Sequence, residues 1–132
     1  MTLRLEHGLL FTTVVVYGSN RSISLDTVLV DTGSCGTVLS VERVAEIGLR
    51  EQPGDVVLTI RGVGGTESVF CKTVERIEAG DMAVERLEIE VGAMDYGIEM
   101  DGILGLDFLL AVGAQLDLDR QEMSARPQPL SP

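Results

Sequence analysis

One short stretch of the sequence has the residue types for hydrolytic chemistry, Asp31-Thr32-Gly33-Ser34. An apolar run, 28–30, precedes it, so a carboxylate is expected where a buried strand enters a tight turn. A carboxylate held in this way can act as a general base toward water. Asp-Thr-Gly occurs once in the 132 residues, so a catalytic Asp31 would be half of a two-carboxylate site. The alternative is a structural turn, because Asp, Thr and Gly all suit strand ends.

The three residues after Asp31 have side chains that suit a support role. The Thr32 hydroxyl can hydrogen-bond neighbouring backbone, and Gly33 allows another chain segment to approach closely. The Ser34 hydroxyl is expected to reach the Asp31 carboxylate and to favour its ionised form. On that basis the working range of the protein should be more acidic than that of a Ser34→Ala variant.

The pattern of apolar and turn residues predicts a mainly β domain with two short helices. Strands are expected over 9–17 and 22–30, and together they form a hairpin that delivers Asp31 at its end. A short strand over 37–39 and longer strands over 55–61, 66–74 and 82–91 are also expected, with a closing hairpin near residue 119. Ser40 is the expected N-cap of a helix over 41–47 that ends at Gly48, and a second helix is expected over 106–112.

Two further stretches bear on the site. Gly62, Val63, Gly64 and Gly65 lie between two predicted strands, which indicates a flexible hairpin tip that could close over a ligand. The stretch Ile103-Leu104-Gly105 comes directly before the second predicted helix.

In order and spacing these stretches resemble those of the retropepsin-type aspartic proteases, the single-domain, homodimeric class that includes the retroviral proteases. Residues 30–34 match the catalytic signature of that family. The glycine-rich hairpin lies where the family has its flap, and 102–105 followed by a short helix match the second signature. The resemblance extends over nearly the whole chain, roughly residues 9–125.

The resemblance implies a closed or partly open β-barrel and an aspartic endopeptidase activity. Asp31 from each chain of a homodimer would form a dyad that activates a water, with no metal and no cofactor. The substrate would be an extended peptide or protein. The other site residues that the resemblance implies are the active-site support Thr32, Gly33 and Ser34, the flap residues Gly62, Val63, Gly64 and Gly65, and the second signature Ile103, Leu104 and Gly105. The alternative function is a catalytically weak or inactive peptide-binding or dimer-scaffold module with the same fold.

This sequence departs from the retroviral pattern at two positions. Retroviral enzymes have an acidic residue two positions after the motif glycine and an arginine after the second-signature glycine, and these form an ion pair. Here the two positions hold Cys35 and Leu106, so the pairing of the chains must differ. Cys35 itself is interpreted as a small buried residue, and the alternative is a redox-sensitive neighbour of Asp31.

Other acidic residues invite a functional interpretation. Asp101 could be a second acid of the same chain but is expected to be a loop residue. Asp107 is expected to cap the second helix or face solvent. Asp117 and Asp119 have the spacing that begins a calcium loop. However, the sixth and twelfth positions lack the required Gly and Glu, so a hairpin turn is the prediction.

Composition limits the remaining function classes. The net charge of −11, from 21 acidic and 10 basic residues, argues against nucleic acid or an anionic membrane as a partner. No stretch is apolar for long enough to predict a membrane span, and the first residues do not resemble a signal peptide. With two cysteines and no disulfide framework, a cytoplasmic location is the expectation. One domain over residues 1–126 is predicted, followed by a disordered tail over 127–132.

Overall fold

The protein is built mainly of β-strands, as predicted: strands make up 53% of the chain and helical segments 12%. The computed structural model describes residues 1–62 and 65–126, and it describes side chains outside residues 60–65. The strands are β1 (Arg4–Glu6), β2 (Leu9–Tyr17), β3 (Ser22–Val30), β4 (Val38–Ser40), β5 (Val57–Gly62), β6 (Gly65–Ala79), β7 (Met82–Gly92), β8 (Gly102–Leu104), β9 (Ala114–Asp117) and β10 (Glu122–Ala125). The helices are α1 (Val41–Val44), which continues as a 3-10 turn (Ala45–Ile47), and α2 (Leu106–Val112).

Six strands close into a ring in the order β2, β3, β8, β4, β7 and β6, because β2 pairs with β6 as well as with β3. This ring is consistent with the barrel-like fold that was expected. Strands β1 and β5 lie outside the ring as the two edges of the sheet. The hairpin β9–β10 forms a second, two-stranded sheet. It packs on the start of the chain, where the Met123 amide donates to the Met1 carbonyl oxygen over 2.9 Å.

The core of the ring is aliphatic because the strands alternate between inward apolar and outward polar residues. In β2, for example, Val14 and Val16 are fully buried, while Thr13 and Val15 are only partly so. Each such side chain stabilises the fold by roughly 1.5–3 kcal/mol. The largest fully buried side chains of the described residues are Phe11, Phe108, Leu25, Leu39, Ile77, Met82, Ile89, Leu104 and Met123.

The hairpin of β2 and β3 forms where the sequence predicts it. The amide of Gly18 donates to the Arg21 carbonyl oxygen over 2.8 Å and closes the turn. Strand β3 then runs to Val30 and pairs in parallel with β8, with Val30 opposite Leu104. The end of β3 is therefore fixed next to the end of β8, although more than 70 residues separate them in the sequence.

The first helical segment begins and ends at residues with a clear local reason. The Ser40 hydroxyl accepts a hydrogen bond from the Arg43 amide, which confirms Ser40 as the N-cap of α1. Gly48 ends the following 3-10 turn with a φ of 83°, in the left-handed region that favours glycine.

Among the described residues, no helix has both the length and the apolar character that crossing a membrane requires.

Some expectations about strand bounds and chain ends differ from the structure or lie outside it. Strand β6 is longer than the predicted 66–74 because, after its pairing with β5 ends at Phe70, it pairs with β7 as far as Ala79 and over residues 76–78 with β2 as well. The predicted disordered tail, 127–132, lies outside the described residues, and the single-domain boundary at 126 stays a prediction.

Candidate active site

Asp31 lies directly after the last residue of β3, at the start of a loop that we call the Asp31 loop (residues 31–37). Its amide donates to the Leu104 carbonyl oxygen over 3.0 Å, so the ladder between β3 and β8 continues into this residue. One carboxylate oxygen, Oδ1, accepts the Gly33 amide over 2.8 Å. The carboxylate is only partly buried. Backbone pairing thus fixes Asp31 on one side, while its side chain stays accessible.

Gly105 packs against the Asp31 loop more closely than any residue with a side chain could. A Cβ atom at Gly105 would lie 2.4 Å from the Gly36 carbonyl oxygen and 2.9 Å from that of Ser34. Separations below 3.0 Å from backbone atoms cannot be relieved by moving a side chain. The first turn of α2 then donates two backbone hydrogen bonds into the loop, from Leu106 to Ser34 (2.8 Å) and from Asp107 to Cys35 (3.2 Å).

A network of side chains and backbone that the sequence did not predict holds Gly105 and the loop together. Thr37 is fully buried, and its hydroxyl donates to Asp107 Oδ1 over 2.7 Å. The same oxygen of Thr37 accepts the Gly105 amide over 3.1 Å, and Asp107 Oδ2 accepts the Thr37 amide over 3.0 Å. The expectation that Asp107 caps the helix or faces solvent is therefore incomplete, because its carboxylate bridges α2 to the Asp31 loop.

A sequence model of the family described as aspartyl protease matches residues 14–108, which is more than half of the chain. That range includes Asp31, the Thr37–Asp107 bridge and the second signature. The chain belongs to the aspartyl protease family. No curated protein matches the chain. Membership of this family supports a protease function in general terms.

In this member of the aspartyl protease family, the Ser34 hydroxyl does not act on Asp31 as expected. It donates to the Gly36 carbonyl oxygen over 2.7 Å, within the same loop. The proposed reason for a shifted pH range in Ser34→Ala is therefore absent within one chain. Ser34 helps to shape the loop, and its amide also donates to the Asp31 carbonyl oxygen over 3.3 Å.

The Asp31 loop exposes several of its residues. Thr32 and Gly33 are exposed, so the Thr32 hydroxyl is available to a second chain. Cys35 is also exposed, so the interpretation of Cys35 as a buried residue is wrong. Cys35 and Leu106 cannot form the retroviral ion pair, and within this chain the start of α2 contacts the loop through the two backbone hydrogen bonds to Ser34 and Cys35.

The predicted flap residues lie at the end of the hairpin formed by β5 and β6. Gly62 and Gly65 form the last pair of that ladder, and Val63 and Gly64 lie outside the described residues. The stem of the hairpin is fixed by an ion pair between Lys72 and Asp55, with 2.8 Å between Nζ and Oδ2. The ammonium of Lys72 and the Gln52 amide lower the pKa of the Asp55 carboxyl.

Asp101 and Asp117 have structural partners. Asp101 accepts hydrogen bonds from the Thr27 amide and from Arg43, so it is a structural loop residue as predicted. Asp117 accepts the Arg120 amide over 3.0 Å, which is the role of a turn residue and agrees with the hairpin prediction.

Replacing the Thr37 hydroxyl tests how much the hydrogen bonds between Thr37, Asp107 and Gly105 stabilise the fold. We expect Thr37→Val to lower the free energy of unfolding by about 1–3 kcal/mol, because the buried Gly105 amide loses its acceptor. Denaturant unfolding measures the change. Thr12→Val is the matched control, since Thr12 is also fully buried but its hydroxyl donates only to the Met1 thioether, at 3.5 Å. Equal losses in the two variants would contradict a specific role of the bridge.

Glu90, on β7, makes the stability of the fold depend on pH. Burial, and then the charges of Asp107 and Glu88, raise the pKa of its carboxyl. A raised pKa in the folded state means that the protonated form is favoured by folding. Glu90 therefore stabilises the fold at pH values below its ordinary pKa of about 4.3, and this contribution is lost as the pH rises through the folded-state pKa.

We expect Glu90→Gln to raise the thermal unfolding midpoint by a few degrees at pH 7, because the variant removes a half-buried carboxylate that lies near the charges of Asp107 and Glu88. The gain should disappear near pH 4, where Glu90 of the wild type is protonated as well. Thermal unfolding of the wild type and the variant at several pH values measures both the gain at pH 7 and its loss near pH 4. Glu75→Gln changes an exposed acid on β6 and is the control. A gain that is the same at pH 4 and pH 7 would show that ionisation of Glu90 is not the cause.

Proposed function

We propose that the protein is an aspartic endopeptidase that works as a homodimer, with one Asp31 from each chain. The observation that carries the proposal is the placement of Asp31. Its backbone is paired to Leu104, its Oδ1 is held by the Gly33 amide, and its side chain is accessible. Within residues 1–62 and 65–126, its Oδ2 accepts no hydrogen bond, so this oxygen is available to water or to a second carboxyl.

A pair of Asp31 residues would have the chemistry that peptide hydrolysis needs. Two carboxyl groups in contact cannot both be ionised, so they share one proton, and aspartic-protease dyads are the standard example of this effect. The ionised Asp31 would take a proton from a water as it attacks the peptide carbonyl carbon. The protonated Asp31 of the other chain would donate to the carbonyl oxygen, and a proton then passes to the leaving amine.

The dimer would form through surface that a single chain leaves exposed. Thr32 and Gly33 are exposed beside Asp31, and a two-fold axis near them would bring the two loops together. Three leucines near the C-terminal end of the described chain are also exposed: Leu110 by 74%, Leu116 by 36% and Leu118 by 67%. Large apolar side chains of this kind are typical of the central part of dimer interfaces.

The proposed substrate is an extended peptide that lies between the β5–β6 hairpin and the Asp31 loop. Strand β5 is an edge of the main sheet, so its outer backbone groups can pair with an added strand. Val57 and Leu58 on this strand are exposed by 53% and 42%, which would offer apolar contacts to substrate side chains. A preference for apolar residues around the cleaved bond follows.

Concentration dependence tests the proposal. The specific rate of cleavage of an extended-peptide library should rise with protein concentration and reach a plateau where the mass in solution reaches that of a dimer. Cleavage by a particle that stays monomeric would refute the shared site. A stable dimer that cleaves no peptide of the library would favour the scaffold alternative.

A further inference from the structure

The outer part of the hairpin of β5 and β6, beyond the buried Val69, has few contacts outside its own two strands. Residues 65–69 of β6 pair only with β5 among the described strands, since the pairing of β6 with β7 begins at Phe70. A two-stranded hairpin without a third strand is marginally stable in water. The position of this hairpin therefore depends on contacts that reach it from outside the sheet.

One hydrogen bond reaches the projecting part of the hairpin from another segment. The Tyr96 hydroxyl donates to Glu67 Oε2 over 3.3 Å, and the two residues are 29 positions apart in the sequence. Glu67 lies on β6, opposite Ile60 and close to the end of the ladder. Among the described side chains, this is the one hydrogen bond to residues 66–69 from outside the hairpin. Burial, and then the charge of Glu67, raise the pKa of the Tyr96 hydroxyl, so it is protonated and able to donate at neutral pH.

Tyr96 belongs to a connection, residues 93–101, whose two ends are both firmly anchored. At the first end, Gly92 packs so closely against Val69 that a Cβ there would lie 2.7 Å from Val69 Cγ1. At the other end, the Asp101 amide donates to the Thr27 carbonyl oxygen over 2.7 Å, and Asp101 also binds Arg43. The connection then enters β8, which holds the backbone of Asp31. Tyr96 thus joins the hairpin to the segment that positions Asp31.

We propose that Tyr96 is a positioning residue that holds the β5–β6 hairpin through Glu67 over the proposed cleft. The proposal rests on the proposed protease function for its effect on substrate, but its effect on the hairpin is independent of that function. Without the Tyr96 hydroxyl the hairpin is free to move more, and substrate binding must order it. The free energy needed to order the hairpin then raises KM, while the chemistry at Asp31 is unchanged.

The chain offers a matched control, because its only other tyrosine makes a similar contact elsewhere. The Tyr17 hydroxyl donates to Glu78 Oε2 over 3.4 Å, between β2 and β6 within the ring. Tyr17→Phe and Tyr96→Phe therefore each remove one tyrosine–glutamate hydrogen bond of nearly the same length. The chain has no tryptophan, so in Tyr17→Phe the intrinsic fluorescence comes from Tyr96 alone.

Backbone hydrogen exchange is the first measurement, because it needs no substrate. We expect amides of residues 57–62 and 65–69 to exchange about three- to tenfold faster in Tyr96→Phe than in the wild type. Tyr17→Phe should leave these amides unchanged. Glu67→Met removes the acceptor at a similar side-chain volume and should have a similar effect to Tyr96→Phe, and the double variant should add little to either. Unchanged exchange in both single variants would overturn the proposal, whether or not the protein cleaves peptides.

Steady-state kinetics is the second measurement. We expect Tyr96→Phe to raise KM about three- to tenfold and to leave kcat within about twofold of the wild type. Faster exchange with an unchanged KM, or with a fall in kcat alone, would show a purely structural contact and overturn the positioning role. If the wild type cleaves no peptide, the protease proposal fails, and the exchange data still decide whether Tyr96 holds the hairpin.

Discussion

Asp31→Asn is expected to lower kcat/KM for peptide cleavage by at least about a thousandfold and to leave the fold and the dimer intact. The amide cannot take a proton from water, and general acid–base catalysis contributes about 10²–10⁴-fold at a single residue. Loss at both copies removes the base and the acid together. The asparagine Oδ1 can still accept the Gly33 amide, so the Asp31 loop should keep its conformation. Cleavage kinetics, circular dichroism and mass in solution together measure the outcome.

Asp26→Asn is the matched control, since Asp26 is an exposed acid on β3, the strand that leads to Asp31. It should retain nearly full activity. Mixing equal amounts of wild type and Asp31→Asn tests whether the site is shared between two chains. If chains exchange freely, about one quarter of the dimers hold two intact copies of Asp31, so the activity should fall to about one quarter. Activity that falls only to one half would indicate that each chain works alone. Cleavage that survives in Asp31→Asn itself would rule out the mechanism.

Gly105→Ala is expected to lower the free energy of unfolding by about 3 kcal/mol or more and to abolish activity with it. The added methyl group would lie 2.4 Å from the Gly36 carbonyl oxygen and 2.6 Å from its carbon, and neither atom can move without displacing the Asp31 loop. Because proteins of this size are stable by only about 5–15 kcal/mol, a loss of this size should be visible as a lower denaturant midpoint. Chemical unfolding and residual cleavage measure it.

Gly36→Ala is the control, because it changes the partner in the same contact. The atom nearest to a Cβ at Gly36 would be a Glu90 carboxylate oxygen, at an ordinary distance of 3.7 Å. We expect a change in stability below about 1 kcal/mol. Equal losses in the two variants would show that the close approach of Gly105 to the loop is not what makes glycine necessary there.

Much of the local structure could be predicted because it depends on neighbours in sequence. Alternating apolar residues specify β2 and β3, and the turn residues after Gly18 join them. Ser40 and Gly48 mark the two ends of the first helical segment through hydrogen bonding and a left-handed φ, both properties of the local chain. The full length of β6 could not be predicted in this way, since it depends on three successive partner strands.

The candidate site also has one part that the sequence determines and another that only the tertiary structure decides. The sequence by itself determined the motif residues Asp31 to Ser34 and their place at a strand end, because these are a matter of residue type and local spacing, and the resemblance to the retropepsin-type proteases added the second signature with Gly105. Only the tertiary structure decided the partners of Thr37 and Ser34. Thr37 meets Asp107 from 70 positions away, and Ser34 turns to Gly36. The contact of Thr37 with Asp107 depends on which distant segments the closed ring brings together, and spacing in the sequence carries no signal for that. The Ser34 hydroxyl bonds only two positions away, and its choice of Gly36 over Asp31 depends on the conformation of the Asp31 loop, which Gly105 and the start of α2 contact.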